Sequence, residues 1–167
     1  MTAESAQAPV RYIDAVTARY ARLGYETYRW YAADAAPALT ALAKPLSRAR
    51  LGVLTTSGCY RAGQIAFYYR DDPSLRRIPI DTPADELRFS HLTENYLVDA
   101  RQDPECLVPL GALRTLQAEG AIGALADDLV SCMGAIYSQR RVREETVPQL
   151  EQVFREQQVD GVLLIPM

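Results

Sequence analysis

The sequence is almost without lysine and histidine. Lys44 is the single lysine among 18 basic residues, His91 is the single histidine, and cysteine occurs only at Cys59, Cys106 and Cys132. Each scarcity removes a class of function. Three cysteines at wide spacing are an odd number and no disulfide framework. With one histidine and no CxxC pair they offer no short-range ligand set, so no metal is expected. There is no Walker-type loop and no GxGxxG, so neither a nucleotide nor any other cofactor is expected. A hydrolase triad drawn through Ser57 and His91 lacks the GxSxG elbow. No apolar run approaches the roughly 18 residues that cross a bilayer. The opening MTAESAQA has no charged-then-apolar leader. A cytoplasmic chain with no membrane partner is expected. The net charge of −3 argues against a nucleic-acid partner. Arginine in place of lysine suits carboxylates and phosphates through its bidentate fork, although a coding bias gives the same composition.

What is present is one domain's worth of core. At 167 residues with 49% apolar residues, the chain can fold as a single unit. Residues 1–8 read as a flexible tail and 9–167 as one α/β domain, with 9–45 as a helical, aromatic-rich N-terminal segment. Pro9 opens a helical pattern through Val10, Ile13, Val16, Thr17 and Tyr20, and Gly24 closes it. "YETYRWYAADAAPALTALAKPL" offers a second, less regular helix, bent or started at Pro37. Tyr12, Tyr20, Tyr25, Tyr28, Trp30 and Tyr31 gather here, as a packing cluster, a pocket wall or a subunit contact.

Strands follow. "LGVLTT" (51–56) reads as the first, and "SGCYRAG" as a glycine-punctuated loop. "IAFYY" and "RRIPI" are short extended candidates, and the polar stretch 81–103 resists assignment. "VPLGALRTLQAEG" has Leu110, Leu113 and Leu116 at helical spacing with Gly120 as a stop. "AIGAL" is the next strand. "TVPQLEQVFREQQ" starts with Thr146 and Gln149 at capping-box spacing and carries an inner stripe of Leu150, Val153 and Phe154. "GVLLIP" is apolar on both faces, as a parallel strand covered by helices would be. The order predicts an α/β fold: an open, mostly parallel sheet flanked by helices.

In such a sheet, ligands gather at the carboxyl ends of the strands. That rule selects Thr55, Thr56, Ser57 and Gly58 as substrate-binding candidates, with Arg61 just after them and Met133 and Gly134 beyond the strand leading to Cys132. Backbone N–H groups among these small residues would receive an anion. Cys59 is the candidate nucleophile, with Arg61 near enough in sequence to lower its pKa. An inert, buried thiol is the alternative. Cys106 reads as core and Cys132 as intermediate. His91, in polar "RFSHLTEN", is the candidate acid or base; a surface or capping role competes with it. Asp99 and Asp103 are candidate caps for the helix that follows.

Taken together, "RYIDAV", "LGYETYRWY", "KPLSRARLGVLTTSG", "DPSLRRIPIDTPADELRFSH", "DARQDPECLVPLGALRTLQAEGAIG", "CMG" and "VDGVLLIP" resemble, in order and over nearly the whole chain, the glycine/sarcosine/betaine reductase selenoprotein B family, with which the selenocysteine subunit of D-proline reductase is grouped. The resemblance implies thiol- or selenol-dependent reductive cleavage of a carbon–nitrogen bond in a small amino acid or amine. It also implies a selenocysteine or cysteine directly after the strand matching "VDGVLLIP", for which this sequence has no matching position. Glu105 stands where relatives often have asparagine, and Cys59 where they have an aliphatic residue. Three readings follow. Cys59 substitutes for the family nucleophile, with His91 moving protons. Or the chain is a binding subunit in a homo-oligomer or with a partner protein. Or it is a recruited non-redox enzyme, a hydrolase or lyase.

Overall fold

The computed structural model describes residues 11–26 and 31–167, and divides into two compact units, residues 1–40 and 41–167. In the first unit, α1 (Tyr12–Arg22) forms as the periodicity predicts. It ends on Gly24 at φ 78°, and the Tyr25 N–H returns to the Tyr20 carbonyl at 3.1 Å. Tyr20 and Tyr25 pair their rings at 5.9 Å, yet Tyr12, Tyr20, Tyr25 and Tyr31 are all exposed. Tyr28 and Trp30, which belong to the expected aromatic cluster, lie outside the described residues. The second helix is also not formed over 31–45, where the chain is irregular and exposed. A short helix needs an apolar face to bury, and here prolines interrupt a run of alanines with only scattered leucines.

The second unit is built on a four-stranded sheet. Its strands are β1 (Arg50–Thr55), β3 (Arg76–Pro79), β5 (Ala124–Ser131) and β6 (Gly161–Ile165), in the order β3-β5-β1-β6. β5, β1 and β6 are mutually parallel, and β3 runs antiparallel to β5. A separate antiparallel pair joins β2 (Cys59–Arg61) to β4 (Leu87–Phe89). The helices are α2 (Val98–Gln102), α3 (Leu110–Ala118), α4 (Gln139–Arg141) and α5 (Val147–Glu156), with a π-helical segment, Val142–Thr146, joining the last two. The α/β class expected from the helix–strand order is the fold observed. "IAFYY" forms no strand; it is held by the Arg76 side chain, which bonds the Ile65 carbonyl at 2.7 Å and lies 4.3 Å over the Phe67 ring.

Val53, Ile78, Leu125 and Leu129 from the sheet meet Leu97, Val108, Leu110 and Leu113 in one core. β5 runs further than "AIGAL" suggested, through "ADDLVS". It does so by bulging: Leu51 faces Leu125, whereas Val53 faces Leu129. The extra residues send Asp127 to Arg50 (2.9 Å) and Asp128 to Arg77 (2.8 Å). The buried Gln157 side chain accepts the Asp128 N–H at 2.7 Å. A strand reading that stops at the aspartates misses that a bulge can turn both outward.

The capping box is not made. Thr146 sits within a continuing helical turn, and its hydroxyl donates to the Pro73 carbonyl at 3.4 Å. Asp103 caps only the short turn Pro104–Cys106, accepting the Glu105 N–H at 3.0 Å. Glu105 serves α3 itself: its two carboxylate oxygens accept the Gly111 N–H at 2.8 and 3.0 Å. β6 also departs from expectation. It is the sheet's edge, and Leu164 is 64% exposed.

Candidate active-site edge

The three parallel strands deliver their carboxyl ends to one edge. Thr55 lies opposite Ser131 on one side and Ile165 on the other. The loop beyond Thr55 is threaded between its neighbours: Thr56 N–H donates to the Ile165 carbonyl (3.1 Å), and Gly58 N–H to the Cys132 carbonyl (3.1 Å). Ser57 bridges Met133 across the edge. The Met167 N–H donates to Thr56 Oγ1 at 2.8 Å. Gly134 fits only because it has no side chain; a Cβ there would stand 2.6 Å from the Met167 carbonyl oxygen and 2.9 Å from that of Thr56. Thus Thr55, Thr56, Ser57, Gly58, Met133 and Gly134 do come together.

They do not form the open anion cradle that sequence suggested. The N–H groups of Thr56 and Gly58 are bonded to carbonyls, and that of Ser57 to Thr55 Oγ1 at 3.3 Å. Thr55, Ser57, Ser131 and Met133 are buried. Thr55 Oγ1 donates to Ser57 Oγ at 2.9 Å, while the buried Ser131 hydroxyl has no partner among the described residues.

Cys59 lies in the core, and burial pushes its thiol up to about 12. Arg61 does not offset this, because its guanidinium is turned to Glu86 at 2.7 Å on the surface. Cys132 is likewise buried and pushed up to about 11. Neither environment favours the thiolate that nucleophilic attack requires. Cys106, expected in the core, is the exposed thiol: it closes the short turn Pro104–Cys106 that Asp103 caps, rather than a helix face.

His91 is more enclosed than its polar neighbours suggested, at 4% exposure. Its Nδ1 accepts the Thr93 N–H at 3.1 Å and lies 2.7 Å from the Thr93 hydroxyl. That leaves Nε2 as the protonated nitrogen of a neutral ring, buried with no partner among the described residues. Desolvation lowers its pKa below the ordinary histidine value, against a smaller opposing pull from Glu94. Gly58 holds His91 in place. A Cβ on Gly58 would meet the Ser90 carbonyl oxygen at 2.1 Å, and the Ser90 N–H donates back to the Gly58 carbonyl at 3.0 Å.

A cleft of about 370 Å³ is lined by Tyr69, Arg70, Asp71, Tyr137 and Leu92, the residue after His91 in sequence. Its walls belong to the edge: one loop runs into β3, whose Arg76 faces Ser131, and the other follows β5. Asp71, at φ 49°, locks the two loops together. Its Oδ1 accepts the N–H groups of Tyr137 (2.6 Å) and Ser138 (3.0 Å), and its carbonyl accepts Arg141 at 2.6 Å. Asp71 Oδ2 carries no hydrogen bond, and Arg70 no ion pair, among the described residues. Sequence reasoning missed Tyr69, Arg70, Asp71 and Tyr137, because the loop before an antiparallel strand reaches this edge only through the pairing of β3 with β5. No helix among the described residues is long and apolar enough to cross a membrane.

Residues 93–166, which run from the turn after His91 through β6, match the family model of glycine/sarcosine/betaine reductase selenoprotein B. The chain is also 32% identical over 128 residues to the D-proline reductase subunit gamma of Acetoanaerobium sticklandii. That alignment covers 77% of this chain and 52% of the relative, so the chain spans about half the length of the curated relative it matches. No solved structure matches the chain. The alignment with the gamma subunit extends well beyond the family-model segment, and the chain belongs to the glycine/sarcosine/betaine reductase selenoprotein B family.

Proposed function

We propose that this chain is a substrate-binding subunit of a reductase that acts on a small amino acid or amine, and that its ligand is held in the Tyr69–Arg70–Asp71, Leu92, Tyr137 cleft. The observation that carries this reading is the pairing of opposite charges in one cleft at the strand ends. The names of the family and of the relative point to glycine, sarcosine, betaine and D-proline. All four carry a carboxylate close to a cationic nitrogen. The Arg70 fork suits the carboxylate. Asp71 Oδ2 suits the nitrogen, and the Tyr69 and Tyr137 rings suit its methyl or methylene groups. His91, next in sequence to the cleft residue Leu92, would exchange a proton with the ligand. The buried states of Cys59 and Cys132 favour a redox thiol or selenol supplied by a partner polypeptide over one of these two.

Titration calorimetry with the four compounds tests this. At least one is expected to bind, and Arg70→Ala to weaken it at least tenfold. Binding by none, or indifference to Arg70→Ala, defeats the reading. With a dithiol reductant alone no turnover is expected; turnover abolished by Cys59→Ser would restore Cys59 as nucleophile.

A further inference from the structure

A second groove, of about 580 Å³, runs between α5 and β6, with Val147, Leu150, Phe154, Val159, Val162 and Leu164 along its floor. β6 pairs with β1 on one side only, so its other edge presents unpaired backbone groups beside exposed leucine. This groove and the zwitterion cleft share no lining residue, so the two can hold different occupants.

We infer that a second copy of this chain covers the groove through a two-fold axis beside β6, pairing the two β6 strands antiparallel and packing the two α5 helices across the seam. This rests on the subunit reading above and names the partner. Phe154 stands over Gly52, and Gly52 is the register partner of Val162. The stretch of α5 around Val153 and Phe154 is therefore level with Val162 of β6. Glu151 and Arg155, exposed on the rim of the groove, lie one turn apart on either side of that level. A two-fold axis there does two things at once. It brings β6 against its own copy, and it sets Glu151 of each chain against Arg155 of the other.

The spacing also fits. Neighbouring strands lie about 4.8 Å apart, which puts the axis about 2.4 Å outside β6. A helix centred over the β1–β6 gap is then about 5 Å from the axis, so the two α5 helices stand about 10 Å apart, within the packing distance of two helices. Leu164 and Val162 of each chain would fill the space between them.

Sedimentation velocity with mixed charge variants tests the inference without any ligand. The wild-type chain is expected to be a dimer, and Leu164→Glu to weaken it at least tenfold. Glu151→Arg places only cations at the seam, and Arg155→Glu only anions, so each alone is expected to weaken the dimer. Mixing the two variants is expected to restore it as a heterodimer. Both substitutions are on an exposed helix face, so folding is preserved and is checked by circular dichroism. A wild-type monomer at ~100 µM overturns the inference. So does a dimer indifferent to Leu164→Glu, or charge variants that do not recover on mixing; a dimer of that kind has its interface elsewhere. A monomer that still binds the amino-acid panel overturns this inference alone and leaves the binding reading intact.

Discussion

Gly58→Ala is the substitution whose cost is most directly worked from the structure. Two penalties combine. Gly58 sits at φ 65°, where an L side chain costs about 1–2 kcal/mol. Its Cβ would also lie 2.1 Å from the Ser90 carbonyl oxygen, a backbone atom that has no rotamer to retreat into. Separating them by more than 1 Å stretches two hydrogen bonds, Gly58 N–H to Cys132 and Ser90 N–H to Gly58. Each is worth about 0.5–1.5 kcal/mol. The sum is about 2–5 kcal/mol, a fall in Tm of about 4–20 °C for a domain of this size. Gly63→Ala supplies the control. Gly63 has φ 93° with nothing within 4 Å of its Cβ, so it carries the first penalty alone, about 2–8 °C. Scanning calorimetry of the two variants reads the difference. Equal shifts would show that the Gly58–Ser90 approach is not the constraint described, and with it the placing of His91.

Alkylation under native conditions at mildly alkaline pH, read by mass spectrometry, is expected to modify Cys106 first and to leave Cys59 and Cys132 unmodified until the protein unfolds; early labelling of Cys59 would contradict its burial. Proton NMR of the single imidazole is expected to show His91 neutral at pH 7 and titrating below the usual 6.5. Because the folded value is depressed, its contribution to stability is complete above the unfolded value and is lost as pH falls through the folded one; a His91→Gln variant should lack that component of the acid side of the stability profile. Glu105→Ala removes the acceptor of the Gly111 N–H at the start of α3 and is expected to cost about 1 kcal/mol, or 2–4 °C in Tm, with no change in ligand binding. An unchanged Tm would mean that water replaces that cap.

The sequence by itself determined the elements that are governed by local chemistry. Helical spacing in Leu110, Leu113 and Leu116, and the β-rich runs "LGVLTT" and "GVLLIP", mark α3, β1 and β6 because periodicity and propensity are properties of neighbouring residues. The order of helices and strands then implied a parallel sheet, and through it a shared edge for Thr55, Cys132 and Met167. What only the tertiary structure decided was the environment of each group at that edge. Cys59 looks like a loop thiol by its neighbours, but the β2–β4 pair carries it into the core, where desolvation removes its reactivity. His91 looks exposed by composition and is enclosed because Gly58 lets Ser90 approach. The cleft residues Arg70 and Asp71 carry no motif, since their meeting with Leu92 and Tyr137 depends on β3 running antiparallel to β5. Burial, register and the approach of distant backbone are long-range quantities. A reading of adjacent residues reaches the strands, but not what stands opposite them.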